Sequence, residues 1–66
     1  MTNEQYYELI KLAKEQLSVT ESESKWATYI EGLTDMAYAM RDYDTMSRLD
    51  NRLWIMWNEK QRERME

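Results

Sequence analysis

The chain has 66 residues, with nine Lys and Arg against thirteen Asp and Glu and a formal charge of −4. It contains no Cys, His, Pro or Phe and a single Gly. Disulfides, thiolate zinc sites, imidazole ligands and His-dependent catalysis are therefore excluded. No apolar run approaches the roughly 18–20 residues that span a bilayer, and the amino terminus lacks a signal-peptide pattern. The expectation is one soluble, cytoplasmic domain over residues 1–66, with no membrane association.

The apolar content is thin and unusual. Leu, Ile and Val number ten in total, but six Met, three Trp and five Tyr add apolar surface. Each buried aromatic removes about 150–250 Å² from water. A core of this size supplies only about 3–5 kcal/mol, and small natural domains usually add a staple. With disulfides and metal excluded, the expected staple is oligomerisation, most simply a homodimer.

The periodicity is helical throughout, and no stretch alternates as a strand would. The first helix is predicted over residues 3–17. Thr2 and Gln5 form a capping box at its start, and Tyr6, Leu9, Ile10, Ala13 and Leu17 line one stripe. The second is predicted over 21–41, opened by Thr20 with Glu23 as another capping box. Trp26, Tyr29, Ile30, Leu33, Met36, Ala37 and Met40 share its apolar face. The third is predicted over 45–64 and buries Met46, Leu49, Leu53, Met56 and Trp57. A break after Arg41 follows from phase, because the stripe of the second helix drifts away from Leu49 and Leu53 when extended. The fold class is all-α: a long antiparallel helical hairpin with a shorter amino-terminal helix across it, completed as a bundle by dimerisation.

The sequence offers little chemistry. Di-iron bundle sites use inward-facing Glu with Glu-x-x-His pairs, and here there is no His and no acid on any apolar stripe. Phosphate-binding glycine loops are absent, since Gly32 is the only glycine. The carboxyl-terminal segment mixes Arg52, Lys60, Arg62 and Arg64 with Glu59, Glu63 and Glu66, unlike the dense basic patch of a nucleic-acid binder. The expectation is a non-enzyme with no catalytic residues, no metal, no cofactor and no direct nucleic-acid binding.

What remains is apolar surface. Ile55 lies opposite Met46 among charged residues, and Trp54 borders the stripe of the third helix. Tyr38 stands off the second stripe, while Leu12 and Tyr7 flank the first. Trp, Tyr and Met are enriched at interface cores, so these five are the candidate partner-binding residues. Thr28, Gly32 and Ala39 place small residues on the back of the second helix, where another helix could approach. Glu31, Asp35 and Asp42 form an acidic face on that helix. The expected function is a small protein-binding regulator or inhibitor, of a type suited to a phage protein directed against a host system. A self-assembling structural subunit and an acidic nucleic-acid mimic are the alternatives.

Overall fold

The computed structural model describes residues 1–65, with side chains through Arg64. Three helices follow one another: α1 (Asn3–Ser18), α2 (Glu23–Ala39) and α3 (Tyr43–Met65). The described residues contain no strand. The all-α hairpin predicted from periodicity is present: α2 and α3 pack closely, and α1 joins them more loosely, mainly against α3. Trp26 near the start of α2 meets Trp57 late in α3, so these two helices are antiparallel. Arg48 sits over the Tyr6 ring, and Lys60 reaches Leu17 and Thr20, so α1 runs parallel to α3.

The core collects Tyr6, Ile10 and Ala13 from α1, Trp26 and Ile30 from α2, and Leu49, Leu53, Met56 and Trp57 from α3. Trp26 is its centre. Its indole stacks between Tyr29 and Trp57, with centroids 5.3 and 6.3 Å away, and its N–H donates to the Leu53 carbonyl at 3.0 Å. That bond satisfies the one polar atom that burying a tryptophan brings with it.

The helix ends show where local signals held and where they did not. The Thr2–Gln5 capping box forms in both directions. The box expected at Thr20 and Glu23 does not form, and α2 starts two residues later than residue 21, behind Ser22. Thr20 is instead buried, and its hydroxyl donates to the Gln16 carbonyl at 2.7 Å, finishing α1 rather than opening α2. α1 accordingly ends at Ser18 rather than 17. Lys60 completes that end by donating to the carbonyls of Leu17 in α1 and Thr20 just past it, which ties the third helix to the end of the first.

The break between α2 and α3 is where phase placed it, with both edges shifted earlier than 41 and 45. α2 closes with the Asp42 N–H on the Ala37 carbonyl and the Arg41 N–H on the Tyr38 carbonyl, both at 2.9 Å. This pair of bonds requires a left-handed residue one past the cap, and Arg41 takes it at φ 58°. Asp42 then caps α3, accepting from the Thr45 N–H and hydroxyl. Arginine in that conformation costs about 1–2 kcal/mol, whereas glycine gives back only about 0.5–1 kcal/mol in chain entropy. Arg41→Gly should therefore stabilise the fold by about 0.5–1 kcal/mol and raise Tm by a few degrees. Unchanged or lower thermal melting would contradict this account of the turn.

Candidate functional site

Two stripe residues of α2 are not in the core. Met36 and Met40 were expected to be buried with Ala37, yet they are 45% and 60% exposed. The physical reason is the position of α1. They lie toward the α1 side of α2, and α1 leans on α3 instead of closing against α2. An open groove of about 700 Å³ results, with Leu9 and Gln5 of α1 on one wall, and Met36 of α2 with Met40 at its carboxyl-terminal cap on the other. Its charged lining consists of Glu4 and Glu8, with the amino terminus of Met1 at one end. That ammonium is 2.7 Å from the Asp42 carboxylate.

The five expected contact residues fall into different settings. Tyr7 is exposed and lies at the edge of the groove. Leu12 is exposed one turn beyond Glu8 and Leu9 on the same side of α1. Tyr38 is exposed and meets Tyr43 edge-on across the α2–α3 turn, with centroids 5.7 Å apart. Ile55 is 46% exposed on the outer side of α3. Trp54 is half-buried and packs against the core cluster, at the border of the stripe where the spacing puts it.

The acidic face of α2 also changes. Glu31 and Asp35 are exposed on the helix, but α2 ends at Ala39 and Asp42 is not on it. Asp42 is a cap, and its carboxyl is held down at about 2, first by the Met1 ammonium and then by the hydrogen bonds from Thr45. Gly32 has open space where a side chain would begin, so among the described residues nothing packs closely on α2 at that point. Among the described residues no group of three acidic side chains converges to hold a metal ion, and no helix is long and apolar enough to cross a membrane.

The groove's methionines were hidden in the sequence by the rule that found the core. Both match the stripe of α2, and only the docking side of α1 decides whether they are covered. Nothing in the stripe itself marks them, since its width is the ordinary one for a core-facing helix. No family model, curated protein or solved structure matches the chain.

Proposed function

We propose that this chain is a small non-enzymatic protein-binding regulator or inhibitor, acting by occupying a surface segment of a partner protein. The observation that carries the reading is the run of large apolar side chains left at the surface: Tyr7, Leu12, Met36, Tyr38, Met40 and Ile55. A single exposed apolar residue is ordinary. Six on a chain this short, three of them gathered at one groove and two of those adaptable methionines, support a binding role.

The test is affinity capture with the tagged chain beside three surface variants: Met36→Asp with Met40→Asp, Ile55→Asp, and Tyr38→Ala. All should keep wild-type helicity, because none of these side chains belongs to the core cluster. One stoichiometric partner should be captured, and the variant that removes its anchor should weaken it about thirtyfold or more. A partner retained equally by all three, or no stoichiometric partner, would count against the reading. Growth of the isolated chain into larger species with concentration would favour an assembly subunit instead.

A further inference from the structure

We infer that the groove between α1 and α2 receives a basic amphipathic helix of a partner protein, apolar side inward. This rests on the reading of the chain as a protein binder and names where and what it binds.

The shape argues for a helix. The two walls are helices of 16 and 17 residues that run antiparallel, each supported by α3. A fourth helix laid across from α3 would contact both walls and complete a four-helix arrangement, with Leu9, Met36 and Met40 beneath it. Such grooves read ridges at i, i+3, i+4 and i+7. Met36 and Met40 are themselves one turn apart, and their unbranched side chains adapt to differing ridges. A small molecule fits this site poorly, since its walls are exposed side chains and the ligand would remain largely in water.

The charge selects among helices. The charged side chains that line the groove, Glu4 and Glu8, are both acidic, and they sit one turn apart on α1. The Met1 ammonium is already committed to Asp42. Lys or Arg flanking the apolar ridge of an occupant would therefore find an opposite charge along α1. A second copy is a worse fit: two-fold pairing through the groove would bring Glu4 and Glu8 of both copies into one interface, between chains that each carry −4. Like charges juxtaposed in this way oppose association.

The test uses two synthetic peptides of about 18 residues, roughly 27 Å as helices. They share one Leu ridge and differ only in flanks, Lys in one and Glu in the other. Binding to the full chain is followed by anisotropy of a labelled peptide, and the site is mapped by methyl NMR of the methionines. The Lys peptide should bind at least about tenfold tighter than the Glu peptide, and that preference should shrink as salt rises. Met36 and Met40 methyl signals should shift on binding. Met36→Ser with Met40→Ser, which removes the apolar floor without adding charge, should weaken the Lys peptide about thirtyfold or more. Glu4→Gln with Glu8→Gln, which leaves the apolar walls intact, should remove most of the preference for Lys over Glu flanks, and it keeps the test valid if the methionine variant loses helicity. Equal affinity for both peptides, no binding, or methyl shifts confined to residues outside the groove would overturn the inference. So would methionine shifts that appear with protein concentration alone, since a second copy would then fill the site. If a captured partner is lost on Ile55→Asp but kept by both groove variants, the protein-binding reading stands and the groove inference falls.

Discussion

Trp26→Ala should abolish most of the helical circular dichroism at 25 °C. The side chain is fully buried, stacked between Tyr29 and Trp57, and its N–H is spent on the Leu53 carbonyl. Truncating a buried Trp costs about 3–5 kcal/mol, from lost transfer energy and from the cavity left behind. A core of this size supplies about the same total. The folded population would then be a minority. Trp26→Phe retains part of the ring and loses the hydrogen bond, so it should be intermediate, folded but melting well below wild type. A Trp26→Ala chain with wild-type helicity and melting would mean that the three helices are held together by something other than this cluster.

The second large effect should come from Lys60→Met. Lys60 donates to two carbonyls at the end of α1, and methionine keeps a similar apolar stem while removing the ammonium. Hydrogen bonds to charged groups contribute about 1.5–3 kcal/mol, and the side chain is only 18% exposed. Its contact with Glu21 at 3.9 Å adds little, because Glu21 is exposed and is held closer by Arg64 at 2.7 Å. Global denaturation should therefore show a loss of about 1.5–3 kcal/mol. Glu21→Gln should change stability by a few tenths of a kcal/mol. If the two variants proved equal, the carbonyl bonds would not be what joins α1 to α3.

These residues also show how far the sequence could be read. The stripes of Tyr6, Ile10 and Ala13, of Trp26 and Ile30, and of Leu49, Leu53, Met56 and Trp57 are buried as helical periodicity requires. The Thr2 cap was legible because its whole signal lies within four residues. Thr20 closes α1 rather than opening α2 because of its burial and of Lys60, forty residues away, neither of which a four-residue capping pattern reports. Asp42 was placed on a helix face because nothing in Arg41 signals a left-handed turn that glycine usually marks. Leu12, Tyr7, Tyr38 and Ile55 were readable as exposed from their angle alone. Met36 and Met40 were not, since their exposure is a property of how two other helices lean together.

That lean has a thermodynamic consequence. The α2–α3 hairpin is closed by a short turn and is local in sequence, whereas α1 is joined by contacts such as Lys60 to Leu17 that cross 43 residues. α1 packs far less closely on the rest of the fold than α2 and α3 pack on each other, and elements of low contact density open at lower free energy. One wall of the groove is α1 itself, so the groove exists only while α1 is docked. Occupancy and docking are then linked equilibria. An occupant at about one hundred times its dissociation constant adds about 2.7 kcal/mol to the docked state. In the free chain the amides of α1 should therefore exchange with solvent ahead of those in α2 and α3, and an occupant of the groove should narrow that difference.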